Sequence, residues 1–260
     1  MYFLRYPSKF GRTLFAPTSF LLIIIYSPQP LVADSGVSMN AFHLKIIAVI
    51  SMLFDHVGYF LHSGNFSFFN YLGRLAFPIF AFQISEGYLH TRNLKKYLFR
   101  LGIFALISQI PFMLFEYSIG FDYTLNIFFT LFLGLLCIIS FDKINNKFLS
   151  LLVIFVLCFI GEYIKVDYGY WGILLILLFF VFKNNKILMT ISFLIMCIYK
   201  YFPYLINYNF HYIYVLLIIS TFSAIIPILL YNGKLGLKTK YLLYVFYPLH
   251  LLILYIASLI

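Results

Sequence analysis

An all-α, polytopic membrane helix bundle with about nine transmembrane helices is predicted by three observations. The 260-residue chain is 63% apolar and only 10% charged, far from the balance of a soluble domain. Its apolar residues fall in successive runs near spanning length, separated by brief polar connections. Its basic residues crowd into alternate connections, as loops on the cytoplasmic side of a membrane do.

The runs can be drawn at 41–61, 68–88, 97–115, 124–141, 148–163, 168–182, 187–202, 209–230 and 241–260. Some are shorter than the usual 17–25 residues or so, which tight turns and neighbouring helices accommodate. The connections are short and often carry Asn, Gly or charge, as at 142–147, 183–186 and 231–240. One set of connections holds Arg92, Lys95, Lys96, Lys143, Lys147, Lys183, Lys186, Lys234, Lys238 and Lys240, whereas the other holds only Lys165 and Lys200. The first set is therefore expected to face inwards, in a bacterial inner membrane, and the first run then starts inside. Residues 1–38 differ: Arg5, Lys9 and Arg12 precede a short apolar stretch at 13–26 that Pro17 interrupts, followed by a turn-rich segment. This is read as a leader or peripheral segment ahead of a transmembrane domain at 39–260, with Met39 an alternative start. A tenth helix there would have to place its basic end outside.

The formal charge of +10 is dispersed over short loops, which argues against nucleic acid and for topology and contact with membrane lipids. Cys137, Cys158 and Cys197 all lie inside apolar runs, and neither disulfide nor metal-ligand spacing is expected of them. No soluble catalytic domain or internal repeat is visible, so any chemistry has to be built from the helices.

Ionisable groups at membrane depth cost roughly 2.5 kcal/mol or more each unless paired or hydrated, and mark a functional site by default. Counting ~1.5 Å per residue puts Lys45 about 6 Å and His56 about 22 Å into the first run. In the next run, which returns, Arg74 arrives near the depth of His56 and Glu86 near that of Lys45. Two polar levels result. The outer one can gather Asp55, His56 and Arg74, with Gln109, Asn126 and Glu162 approaching from other helices. His56 is the natural general base, because its proton exchanges near neutrality. Asp55 points about 100° away from it on a helix and can pair with Arg74 instead. A structural ion pair that locks two helices is the alternative. The inner level lies beneath the basic stretch holding Arg92, Lys95 and Lys96, continued by Arg100. Several cations at one surface suit a phosphorylated donor, with anionic lipid as the alternative. His250, after Pro248, can reach the bundle interior or simply be a hydrogen-bonded residue of a kinked helix. Gly73, Gly87, Gly102 and Gly134 are read as allowing close helix packing, and His43, His62 and His211 as interfacial.

The stretches FDHVG at 54–58, GRLAFPIFAFQISEG at 73–87, TRNLKKYLFRLGIFALISQIPF at 91–112, LNIFFTLFLGLL at 125–136, DYGYWGILLILLF at 167–179 and YVFYPLHLLIL at 244–254 resemble TraX-type membrane proteins. The likeness covers 43–254 and leaves 1–38 outside it. It implies a role in pilus or fimbria biogenesis, with a pilin or fimbrial subunit as partner and acetylation of the pilin amino terminus as the namesake activity. It also implies kinship with transmembrane acyltransferases, whose first helix carries a basic residue, ten intervening residues and a catalytic histidine; Lys45 and His56 have that spacing. On that likeness His56 is the base, assisted by Asp55 and Arg74. Acetyl-CoA is the co-substrate on Arg92, Lys95, Lys96 and Arg100, its thioester passing Lys45 and Glu86, and no metal is involved. Gln109, Asn126, Glu162 and His250 are candidates for the acceptor side. Two other classes stay open: a non-enzymatic fimbrial assembly protein, and a proton-coupled transporter using Asp55, His56 and Glu86 as a relay.

Overall fold

The computed structural model describes residues 38–237, 239 and 241–260. The expected leader and the tenth helix at 13–26 fall on residues outside those described, as do Lys238 and Lys240. The described chain is helical, and its β pairing is confined to isolated bridges between Met39 and Tyr231 and between Leu125 and Val166. Its helices are α1 (Ala41–Leu61), α2 (Phe68–Gly73), α3 (Ala76–His90), α4 (Leu94–Ser118), α5 (Ile127–Lys143), α6 (Lys147–Tyr163), α7 (Gly169–Val181), α8 (Lys186–Asn207), α9 (Tyr212–Ser223), α10 (Ile225–Leu229) and α11 (Leu242–Ala257).

Each apolar run becomes a helix, but two of them break. The run 68–88 divides into α2 and α3 at Arg74 and Leu75, and the run 209–230 into α9 and α10 at Ala224. Both breaks have one cause. Pro78 and Pro227 stand third in α3 and α10, and neither has an N–H to donate to the carbonyl four residues earlier, at Arg74 and Ser223. Several helix starts are closed by their own asparagine. Asn40, Asn93, Asn126, Asn146 and Asn185 accept from the amides of His43, Lys96, Phe128, Leu149 and Leu188 at 2.9–3.1 Å, which satisfies an amide that has no partner inside the helix.

α3, α5 and α7 pack on one another at the centre, and α1, α4, α6, α8 and α11 lie around them. The sequence permits this because Gly172 of α7 faces Phe77 of α3 and Thr130 of α5: a methyl group there would sit 2.8 Å from the Phe77 ring and 2.9 Å from Thr130 Cγ2. Gly134 of α5 likewise sits against Ile176 of α7, so two helix backbones approach where a side chain would hold them apart. Phe77, Ile79, Phe80 and Ala81 of α3, Leu131, Leu135 and Ile138 of α5, and Leu175, Ile176 and Phe179 of α7 are buried in this core.

The outer helices turn apolar faces outwards. Phe99, Leu106 and Ile110 of α4, Phe148, Leu151 and Phe155 of α6, and Ile187 and Ile195 of α8 are all more than half exposed. Among the described residues, α1, α4, α8 and the joined α9–α10 segment Tyr212–Leu229 are long and apolar enough to cross a membrane. α7 and α11 are apolar but shorter. Broad apolar surfaces on four such helices are the features of a membrane protein.

Candidate functional site

At the outer level, α1 and α2 form a network that consumes most of its own polar groups. Asn70, fully buried on α2, donates through Nδ2 to the Asp55 carbonyl at 2.9 Å and to Asp55 Oδ1 at 3.1 Å, and its own Oδ1 accepts from Ser67 N and Oγ. Arg74 Nη2 lies 3.5 Å from Asp55 Oδ1 and donates to Tyr59 Oη at 2.7 Å. The guanidinium also faces the Phe66 ring at 5.5 Å. Gly73 lets this happen, since a side chain there would collide with the Asp55 carboxylate. Asp55 therefore does pair with Arg74, while Arg74 keeps a buried Nε without a hydrogen-bond partner.

His56 faces into the bundle. Its ring meets Phe115 of α4 edge-on at 5.5 Å, Tyr247 of α11 at 6.3 Å and His250 of α11 at 4.9 Å between centroids. His56 Nδ1 lies 3.0 Å from His250 Nε2, and His250 Nδ1 lies 2.8 Å from the Phe246 carbonyl. Of the four candidates for the acceptor side, His250 is thus the one in direct contact with His56.

The others take separate places. Gln109 and Asn126 bond each other at 2.8 Å, and Asn126, fully buried, also donates to the Ala105 carbonyl at 2.7 Å while capping α5. They join α4 to α5. Glu162 is exposed and accepts from the Tyr170 amide at 3.2 Å, so it closes the start of α7 rather than entering the outer level.

Lys200, which charge patterning places in a connection, and Asp167, which lies in one, both belong near this level. Lys200, counted with the loops, stands in α8, its Nζ 4.1 Å from the Tyr168 ring and 4.2 Å from the Trp171 ring. Asp167, in the connection before α7, has its carboxyl pushed up to about 6, first by burial, with Asp55 adding and Lys200 and Arg74 opposing. The sequence carried one signal for them, the cluster of Tyr168, Tyr170 and Trp171 beside an acid; it did not show which cation would meet it.

The inner level is different. Lys45, Glu86, His90, Tyr97, Arg100, Tyr231, Thr239 and Tyr244 line a cavity of about 450 Å³, whose apolar wall includes Leu44, Phe80, Leu101 and Leu131. Lys45 Nζ donates to the Thr239 carbonyl at 3.0 Å, and Tyr231 hydrogen-bonds the Glu86 carboxylate. The Arg100 guanidinium lies between the rings of Tyr97 and Tyr244, 5.4 and 5.6 Å away, with a buried Nε that has no hydrogen-bond partner. Arg92, Lys95 and Lys96 are exposed and do not line the cavity. Lys45 and Glu86, which the depth count places at one level, thus line one cavity, and Arg100 from the end of the basic stretch joins them.

His56 does not line this cavity. A continuous run of ring contacts joins the two levels: Tyr244 in the cavity wall stacks on Phe128 at 5.5 Å, Phe128 meets Tyr247 edge-on at 5.3 Å, and Tyr247 meets His56. Among the described residues there is no group of three or more His, Cys, Asp or Glu side chains placed to hold a metal ion.

Comparison with known proteins gives consistent relatives. Residues 41–258 match the family described as TraX protein. The chain is 30% identical to a protein of Dichelobacter nodosus named "Probable fimbrial assembly protein FimC, serogroup H1", over 84% of this chain and 96% of that one. It is also 30% identical to an uncharacterized protein of Rickettsia prowazekii (strain Madrid E), over 55% of this chain and 56% of the relative. No solved structure matches.

Proposed function

The chain belongs to the TraX family, and on that premise we propose that it is a multi-pass protein of the bacterial inner membrane that acylates a pilin or another envelope acceptor during pilus or fimbria biogenesis. The relative named for fimbrial assembly supports the process, and the helix pattern supports about nine spans with the basic connections inside. Acetyl-CoA is the simplest donor.

The observation that carries the acyl-transfer reading is the inner cavity. It opens among Lys45, His90 and Arg100, and the buried, unpartnered Arg100 Nε fits an anionic ligand such as a phosphorylated thioester. Lys45 and Glu86 both line the cavity, and His56 lies further along α1 from Lys45 by about 16 Å of helix rise. The reading requires the rings of Tyr244, Phe128 and Tyr247 to part as the thioester enters, because they separate the cavity from the imidazole. At the outer level His56 takes the acceptor proton, and Arg74, with its unpartnered Nε, is available to the oxyanion.

Intact-mass measurement of pilin from cells with and without this protein tests the reaction: a difference of one acetyl unit supports it, and identical masses reject it for that acceptor. His56→Ala, at unchanged membrane abundance, abolishes transfer if His56 is the base.

A second reading, a non-enzymatic assembly factor, is favoured by the Asp55–Asn70–Arg74–Tyr59 network and by Gly73 packed on Asp55. It expects His56→Ala to be silent and bulky replacements of Gly73 or Gly134 to abolish fimbriation.

A further inference from the structure

The hydrogen bonds around His56 and His250 determine where their protons sit. His250 Nδ1 lies 2.8 Å from the Phe246 carbonyl, and a carbonyl oxygen only accepts, so His250 Nδ1 carries a proton. A neutral imidazole has a single N–H, which leaves a lone pair on His250 Nε2. The proton in the 3.0 Å contact between the rings therefore belongs to His56 Nδ1. The Met52 carbonyl, one turn earlier on α1, also accepts from His56, in agreement with an N–H on this ring. A doubly protonated His250 would instead be a cation stacked on Phe246 at 4.8 Å and edge-on to Tyr247, and among the described residues no carboxylate is within ion-pair distance of it.

We infer that His250 is a positioning residue: it accepts from His56 Nδ1–H, holds His56 in the tautomer whose lone pair is on Nε2, and shares the positive charge when Nε2 takes a proton. The inference rests on the acyl-transfer reading and assigns the partner that makes His56 a competent base. In the step, the acceptor N–H or O–H proton passes to His56 Nε2 while the acceptor lone pair bonds the thioester carbonyl carbon. The C–S bond then breaks with its electron pair on sulfur, and sulfur receives the proton from His56 Nε2. Thioester and amine, or hydroxyl, become amide, or ester, and free thiol. His56 and His250 end as they began.

The test uses the full chain in lipid nanodiscs. Solid-state NMR of the ¹⁵N-histidine-labelled protein, with His56 assigned by its loss in His56→Ala, is expected to show His56 protonated at Nδ1 and bare at Nε2. A proton on Nε2 instead overturns the inference whatever the activity. Transfer from radiolabelled acetyl-CoA to a synthetic peptide carrying the pilin amino terminus supplies the second readout. His250→Leu is expected to lower kcat by about 10- to 100-fold, the size typical when the orienting partner of a functional imidazole is removed, with KM unchanged. His250→Gln, whose amide oxygen can accept from His56 Nδ1, is expected to recover most of the rate. A wild-type rate in His250→Leu, with His56→Ala inactive, overturns the role of His250 and leaves His56 as the base. Retained transfer in His56→Ala overturns His56 as the base and with it the role of His250, whereas absence of transfer by the wild-type protein overturns the acyl-transfer reading itself.

Discussion

The two polar levels of the bundle are built on opposite terms. At the outer level, Asp55, Asn70, Arg74 and Tyr59 spend their hydrogen bonds on one another, and Gly73 brings their helices into contact. At the inner level, Lys45, Glu86 and Arg100 border a cavity, and part of their bonding is directed to the loop segment holding Tyr231 and Thr239. The contrast teaches that polar residues inside an apolar helix bundle serve two ends. One group is stiff and fixes helix positions around His56; the other surrounds a space.

The sharpest way to break that contrast is Gly73→Val. Its Cβ would meet Asp55 Oδ1 at 2.5 Å and Cγ at 2.7 Å, so α1 and α2 must separate; a loss of about 3 kcal/mol is expected, at the upper end for overpacking, seen as lost membrane abundance and a lower midpoint in detergent thermal unfolding. Gly87→Ala is the inner counterpart. Its Cβ would meet the Tyr97 hydroxyl at 2.7 Å, the far end of a side chain bordering the cavity, and abundance is expected to stay near wild type. Equal losses in the two would erase the distinction.

Next in size is the ion pair. Asp55→Leu leaves Arg74 uncompensated and is expected to cost about 2 kcal/mol, reduced from the cost of a fully buried pair because each side chain keeps about a sixth of its exposure. Adding Arg74→Met should return part of that stability, measured by the same unfolding assay in a double-mutant cycle. A double variant weaker than the sum of the two single changes would contradict a self-contained pair.

At the inner level Arg100→Leu is expected to weaken acetyl-CoA binding about tenfold, equal to about 1.4 kcal/mol, by titration calorimetry on the purified protein. Arg92→Ala, Lys95→Ala and Lys96→Ala, outside the cavity, should each change it by about twofold or less and mainly through screening by salt. The smallest effect is expected for Glu162→Gln, within about 0.5 kcal/mol in unfolding, because an exposed side chain closing a helix start is readily replaced by water.

Much of this arrangement was legible in the residues. Nine apolar runs marked where helices lie, and a constant rise per residue matched Lys45 with Glu86 at one wall and Asp55 with Arg74 at another. The interruptions at Arg74 and Ala224 were also written in the chain, as Pro78 and Pro227, yet Pro111, Pro203 and Pro248 lie inside helices that continue through them, so proline alone does not announce a break. His250 was harder. Counting from 241 puts it about 14 Å along its run against about 22 Å for His56, so depth does not pair them; the count assumes untilted helices that start at one height. Charge patterning places Lys200 in a loop, because a lysine near the end of an apolar run looks alike whether it turns to water or lies against Tyr168 and Trp171.

The asparagines at the heads of α1, α4, α5, α6 and α8 carry a consequence for biogenesis. On the multi-pass reading proposed above, a segment that ties off one of its leading amides with its own side chain leaves fewer exposed dipoles for lipid to reject. On that reading such segments can leave the insertion machinery one after another and wait for their neighbours, so assembly of the bundle can follow the order of synthesis.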